Sequence, residues 1–251
     1  MRILLISGHG NGDSGAVGNG YKEADLTREL VNLIAPKLRE YATVDIYNPT
    51  RNAYQDVKNG AFYISNYDYA LEIHFNAHSN ASAHGTECYV TTMEKGIKVE
   101  QSIMTNLRRY FTLRDNDAIK DGVKRSNFAV IKTLKDKGIS GALLEVCFIS
   151  NKTDMIVYNA NKDSIAEDIV GGIVNGFGLK NKLKKIKKGA TVSVSKNAVI
   201  GGLSTNRGDK ASNYLTSKTW IIDKVEIHNG VSEALLHGAN TWIATKYLTV
   251  I

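Results

Sequence analysis

Through the first 180 residues, short apolar runs of strand length alternate with longer segments whose apolar residues recur at helical spacing. That alternation confines the chain to a layered α/β fold. The run from Arg2 to Ser7 is apolar at its centre and ends at Gly8, the pattern of a buried strand running into a loop. Between residues 23 and 41, Leu26, Leu30, Leu33, Ile34 and Leu38 recur at helical spacing. Glu23 and Asp25 fall in the first turn of that helix, where a carboxylate complements the helix dipole. The same reading predicts strands over 43–47, 69–75 and 85–91, and helices over 54–64 and about 95–111. A strand-like segment at 128–134, an apolar strand at 141–146 and an amphipathic helix over 162–177 complete the series. Elements of these lengths in this order predict a mixed, largely parallel sheet with helices on both faces.

The texture then changes. Residues 180–188, KNKLKKIKK, hold six lysines and no acid, a blocky positive stretch that suits a solvated linker. Beyond Ala190 come short β-branched runs (Thr191–Val194, 219–222, 225–227 and 242–244) separated by Gly, Asn and Ser turns. This is the pattern of a small all-β module, too small for a second enzyme and suited to binding. The expected organisation is a catalytic domain over 1–179, a basic linker over 180–189 and a β-barrel domain over 190–251.

A formal charge of +7 and a pI near 9.2 draw the chain toward polyanions, and charge alone does not choose between nucleic acid and a phosphate-rich cell envelope. Cys88 and Cys147 lack CxxC spacing and sit in apolar stretches, so both are expected as buried free thiols. The opening MRILLISGHG holds one Arg and a short apolar run, well below the ~7–15 apolar residues of a secretory leader. No stretch approaches the ~18–20 apolar residues of a membrane span. The expectation is therefore a chain that accumulates in the cytoplasm, without stable membrane insertion.

Four residues carry the chemistry. His9 follows the first strand in a loop flanked by Gly8, Gly10, Gly12 and Gly15, at the strand end where open α/β sheets bind ligands. Alone it is better explained as a capping residue of a glycine-rich turn, and the phosphate-loop pattern GxxxxGK[ST] is missing. Glu23 opens a helix, where a dipole-complementing acid is the simpler explanation. His74 ends an apolar strand in EIHFNAH, while His78 and His84 fall in the following loop and are expected to face solvent. Glu145 interrupts the apolar run ALLEVCFISN, and a carboxylate buried there needs a partner or a function. Together, two imidazoles and one carboxylate form the His₂Glu set that leaves zinc an open position. The second carboxylate is then free to act as a base.

The segments GHGNGDSGAVGNGYKEADLTRELV, EIHFNAHSNASAHGTECYV and LLEVCFISN resemble, in that order, the zinc-dependent N-acetylmuramoyl-L-alanine amidases of autolysins and phage endolysins. The resemblance runs from Met1 to about Lys180. It implies that His9, Glu23 and His74 bind Zn²⁺, that Glu145 is the catalytic glutamate, and that bacterial peptidoglycan is cut between N-acetylmuramic acid and L-alanine. Cys147 stands where the family often has Gly, which implies a packing change. GGLSTNRGDKASNYL and ANTWIATKYL resemble bacterial SH3-like wall-binding domains more loosely. Trp220, Trp242, Tyr214 and Tyr247 could serve there as ligand platforms or as barrel core, and none is assigned. Together these point to an endolysin held in the host cytoplasm until a holin releases it to the wall, with a wall ligand for the C-terminal domain and no nucleic-acid partner. A bacterial autolysin of identical chemistry is the nearer alternative. A polyanion- or nucleic-acid-binding protein without activity is the more distant one; it leaves His74 and Glu145 unexplained.

Overall fold

A computed structural model describes residues 1–114, 121–180, 186–202 and 204–251. The chain forms two compact units, Met1–Lys182 and Leu183–Ile251. Residues 181–185, half of the expected linker, lie outside the described residues.

In chain order the first unit contains β1 (Arg2–Ser7), β2 (Val17–Gly18), β3 (Tyr21–Lys22), α1 (Glu23–Arg39), β4 (Thr43–Ile46) and α2 (Ala53–Lys58). It continues with β5 (Tyr69–Asn76), β6 (Glu87–Val90), α3 (Lys98–Leu107), β7 (Val123–Arg125), α4 (Ala129–Asp136), β8 (Ser140–Phe148) and α5 (Lys152–Phe177). The sheet order is β4-β1-β5-β8-β6-β7. The first four strands are mutually parallel, β6 is antiparallel to β8, and β7 is parallel to β6. The mixed, largely parallel sheet is as the sequence predicts.

The period of two along each strand divides the core. Ile3 and Leu5 of β1, Leu71 and Ile73 of β5, and Ala142 and Leu144 of β8 pack with α1, α3 and α5. Leu4 and Ile6, Ala70, and Leu143 point the other way and pack with Ala53 of α2 and Val130, Ile131 and Leu134 of α4. Each Leu, Ile or Val among them contributes about 1.5–3 kcal/mol when fully buried. On the larger face α5 approaches α3 so closely that a Cβ on Gly172 would lie 2.6 Å from Ile103 Cα. Only glycine fits there.

The structure corrects some boundaries. The segment at 128–134 is helical, not strand-like: Val130, Ile131 and Leu134 share one helical face, and Phe128 sits at the N-cap position of α4. Helix α2 stops at Lys58, short of the expected 64, because Gly60 turns the backbone into the left-handed region (φ +66°). Helix α5 begins at Lys152, not near 162, with the Asn151 side chain accepting the Asp154 N–H at 3.0 Å as its cap. Cys88 and Cys147 are buried free thiols. Among the described residues, no helix is long and apolar enough to cross a membrane.

The second unit contains β9 (Thr191–Val194), β10 (Ile200–Gly201), α6 (Asn213–Thr216), β11 (Thr219–His228), β12 (Val231–Leu236), β13 (Thr241–Ala244) and β14 (Leu248–Val250). These strands form one antiparallel sheet in the order β10-β13-β12-β11-β9-β14. The two strands expected at 219–222 and 225–227 are one, β11, with a register shift between Ile222 and Lys224. That irregularity lets a single strand pair with β9 on one part and β12 on the other. Trp220 and Trp242 are buried, and Trp220 Nε1 donates to the Leu215 carbonyl at 2.8 Å, whereas Tyr214 is exposed.

Candidate metal centre

Strand parity decides what reaches the site. Ala70 and Leu143 belong to the smaller core, on the α2 and α4 side. Two and four residues further along β5, Glu72 and His74 face the same way, as does Glu145 two residues along β8. Pairing sets His74 beside Glu145, and Glu145 opposite Glu87 on β6. A row His74, Glu145, Glu87 thus crosses three neighbouring strands. At this end of the sheet lies a cavity of about 470 Å³, lined by His9, Glu23, Glu72, His74 and Glu145. Its walls include Ala16, Tyr54, Phe128, Val130 and Leu143.

His9 reaches the cavity from the loop after β1 in the left-handed conformation, φ 61°. Such a conformation in a non-glycine residue needs support from its surroundings. The Arg28 guanidinium supplies it, donating to the carbonyls of Gly8 at 3.1 Å and His9 at 3.0 Å. Two glycines make the close approach possible. A Cβ on Gly8 would lie 2.4 Å from His74 Cε1, and one on Gly15 would lie 2.6 Å from His9 Cδ2 and 2.7 Å from Glu23 Oε2.

Glu23 is the hub. One carboxylate oxygen meets His9 Nε2 at 3.0 Å and accepts the Ala16 N–H at 3.0 Å. The other meets His74 Nδ1 at 2.9 Å and accepts the Phe75 N–H at 3.0 Å. Ligand atoms of His9, Glu23 and His74 all lie within 4.8 Å of one another. Donors on a tetrahedral zinc stand roughly 3.3 Å apart, given bonds of about 2.0–2.1 Å. The donor set and its spacing fit such an ion.

Charge balance supports the same fit. Glu72 Oε2 and Glu145 Oε2 are buried with no hydrogen-bond partner. Among the described residues no Lys or Arg pairs with Glu23, Glu72 or Glu145, whereas Glu87 is met by Lys124 and Arg114. Burial would raise the Glu23 carboxyl, but its bonds to His74 and His9 outweigh that and hold it well below the usual range. Burial would lower the His74 imidazole, but Glu23 and Glu72, with Glu145 nearby, hold it well above its ordinary value. For Glu145, burial comes first, and the neighbouring Glu23, Glu87 and Glu72 add to it against the opposing pull of His74. The carboxyl is pushed up to about 7.

The structure therefore brings His9, Glu23 and His74 into one cluster and sets Glu145 beside it. His78 and His84 are exposed on the following loop, as expected from the sequence. Three contributors were not foreseen. Asp13 meets His9 Nδ1 at 2.9 Å, Glu72 meets His74 Nε2 at 3.2 Å, and Arg28 pins the loop. Glu72 had a readable signal: a second charge in an apolar strand, two residues from His74 and hence on its face. Asp13 and Arg28 act through loop geometry that spacing does not encode.

A family model described as N-acetylmuramoyl-L-alanine amidase matches residues 3–175. The N-acetylmuramoyl-L-alanine amidase LytC of Bacillus subtilis is 30% identical over 183 residues, 70% of this chain but only 35% of LytC. The endolysin of Bacillus phage SPP1 is 24% identical over 270 residues, covering 99% of this chain and 97% of that protein. Among solved structures, the catalytic domain of the CD27L endolysin targeting Clostridia difficile shares the fold of the first unit. Its TM-score is 0.56 at 23% identity, covering 70% of this chain and 97% of that one. The matched span takes in all of the sheet that carries the cluster except its first residue, and the chain belongs to the N-acetylmuramoyl-L-alanine amidase family.

Proposed function

We propose that this protein hydrolyses the amide bond between N-acetylmuramic acid and L-alanine in bacterial peptidoglycan, with zinc held by His9, Glu23 and His74 and with Glu145 as the general base. The observation that carries the reading is the convergence of two imidazoles and a shared carboxylate beside Glu145, a half-buried glutamate whose Oε2 is sealed from solvent without a hydrogen-bond partner. When bound, zinc supplies a water of pKa lowered toward ~7 and Lewis-acid polarisation of the scissile carbonyl. Glu145 lines the cavity beside the cluster, so its carboxylate is placed to take a proton and return it. Glu145 accepts the proton of the attacking water and delivers it to the departing nitrogen as the C–N bond breaks. The products are a lactyl carboxylate and a free L-alanine amine. Phe128, Val130, Leu143 and Ala16 offer an apolar wall to the lactyl and alanyl methyl groups. Tyr54 and Phe128, both exposed, line the same cavity.

In this reading residues 180–189 serve as a basic linker, and 190–251 as an SH3-like domain that holds the enzyme to a wall ligand. Likeness to the SPP1 endolysin across nearly the full length of both proteins supports an endolysin, kept in the host cytoplasm until a holin opens the membrane. A bacterial wall enzyme of the same chemistry is the second reading, favoured by the likeness to LytC. Mass spectrometry of digested walls tests the reaction. New amino-terminal L-alanine, abolished by EDTA and restored by zinc, is the expected result. New reducing sugar ends without new amino termini would replace the amidase with a glycosidase.

A further inference from the structure

Glu72 is a carboxylate of the cavity for which the proposed chemistry has no use. It is 3% exposed, lies on the same face of β5 as His74, and places Oε1 3.2 Å from His74 Nε2. Glu23 meets the opposite nitrogen, Nδ1, at 2.9 Å, so the imidazole is gripped at both ends. Packing of the ring against the Gly8 backbone, where a Cβ would lie 2.4 Å from Cε1, limits its tilt. His9 is arranged in the same way: Nε2 faces Glu23, and Nδ1 faces Asp13 at 2.9 Å. The two outer carboxylates differ in their other bonds. Asp13 also accepts the Gly15 N–H at 2.9 Å and the Asn52 side-chain amide at 3.0 Å. Glu72 Oε2 is buried without a hydrogen-bond partner. A buried acceptor left unmatched is costly. A residue kept only for packing would be apolar, as Ala70 is two positions earlier on the same face.

We propose that Glu72 is a positioning residue of the metal centre. It accepts the Nε2–H of His74, which fixes the tautomer whose Nδ1 lone pair faces Glu23 and the metal, and its charge strengthens that nitrogen as a donor. The inference rests on His9, Glu23 and His74 being the metal ligands.

The test is the zinc affinity of the full chain, measured by competition with a chelating dye, together with the thermal shift that zinc produces. Glu72→Ala is expected to weaken zinc binding about 10–100-fold and to shrink the zinc-induced rise in Tm. Glu72→Gln keeps an acceptor without the charge and is expected to recover part of that loss. A role in packing alone would lower the Tm of the zinc-free protein and leave the zinc Kd in place. A Kd within about twofold of the parent value in Glu72→Ala, against the larger change expected for an outer-shell partner, overturns the proposal. Should Glu72→Ala not fold, Glu72→Leu, which fills the space without an acceptor, takes its place, and an unchanged zinc Kd there overturns the proposal equally. A parent chain that binds no zinc rejects the metal centre itself, a failure distinct from either.

Discussion

The tripeptide Glu-Ile-His occurs twice in this chain, at 72–74 in the first unit and at 226–228 in the second. In both places the glutamate approaches His Nε2 from two residues back along a strand, at 3.2 Å for Glu72 and 3.4 Å for Glu226. Both histidines then meet another carboxylate through Nδ1: Glu23 for His74 and Glu233 for His228, each at 2.9 Å. The local sequence thus produces the same local contact, and the difference is tertiary. Glu23 is shared with a second imidazole, His9, and among the described residues only that trio gathers three metal donors. Among the described residues Glu233 is paired with one imidazole, that of His228, whose ring packs edge-on against Trp242 with centroids 4.6 Å apart. Glu226 is a third exposed by its side chain, while Glu72 is sealed in. A histidine beside a buried glutamate is ordinary structure; a carboxylate bridging two histidines is a candidate site.

The largest expected effect separates the two histidines. His74→Ala is expected to abolish zinc binding, measured as metal per chain, whereas His228→Ala keeps one zinc per chain and full turnover on a soluble muropeptide. Glu145→Ala should keep its zinc and lose turnover by about 10²–10⁴-fold. Loss of zinc in His228→Ala would erase the distinction between the units.

Next in size is Gly8→Ala. Its Cβ would fall 2.4 Å from His74 Cε1, so the ring or the strand must move, at a cost of about 1–3 kcal/mol. Weaker zinc binding and a lower Tm are the expected outcome in calorimetry. An unchanged zinc titration would show that His74 tolerates displacement.

A smaller effect belongs to the aromatic rim. Phe128 packs edge-on against Tyr89 with centroids 4.9 Å apart and lines the cavity. Phe128→Ala is expected to raise KM by a few-fold, from the loss of about 0.5–1.5 kcal/mol, with kcat held. A fall in kcat at constant KM would move Phe128 from substrate binding to the chemical step.

The first unit also carries a buried acid remote from the cavity. Glu100 accepts the Tyr69 hydroxyl at 2.8 Å, and burial raises its carboxyl above the ordinary 4.5. A raised folded-state pKa means stability that is present below 4.5 and is lost as pH rises through the folded value. Thermal unfolding of Glu100→Gln should lack that loss, so its advantage over the parent grows with pH. Parallel pH profiles would contradict the assignment.

Much of the fold was legible because strand parity and helical spacing are written in side-chain order. Leu4 and Ile6 alternate with Ile3 and Leu5, and the two sets enter different cores. The segment at 128–134 misled because Val130, Ile131 and Leu134 satisfy a strand or a helix, and only the packing of α4 on β8 decides. The hairpin β2–β3 escaped because two-residue strands carry no period. Glu145 and His74 stood out as polar groups in apolar strands. The bridging role of Glu23 did not, because an acid in a first helical turn already has a sufficient local reason to be there.

Zinc K-edge X-ray absorption on the zinc-loaded full chain tests the central claim most directly. Two imidazole nitrogens at about 2.0–2.1 Å with oxygen donors at about 2.0–2.2 Å, and no sulfur, are the predicted shell. A sulfur donor near 2.3 Å, or fewer than two imidazoles, would contradict a metal held by His9, Glu23 and His74.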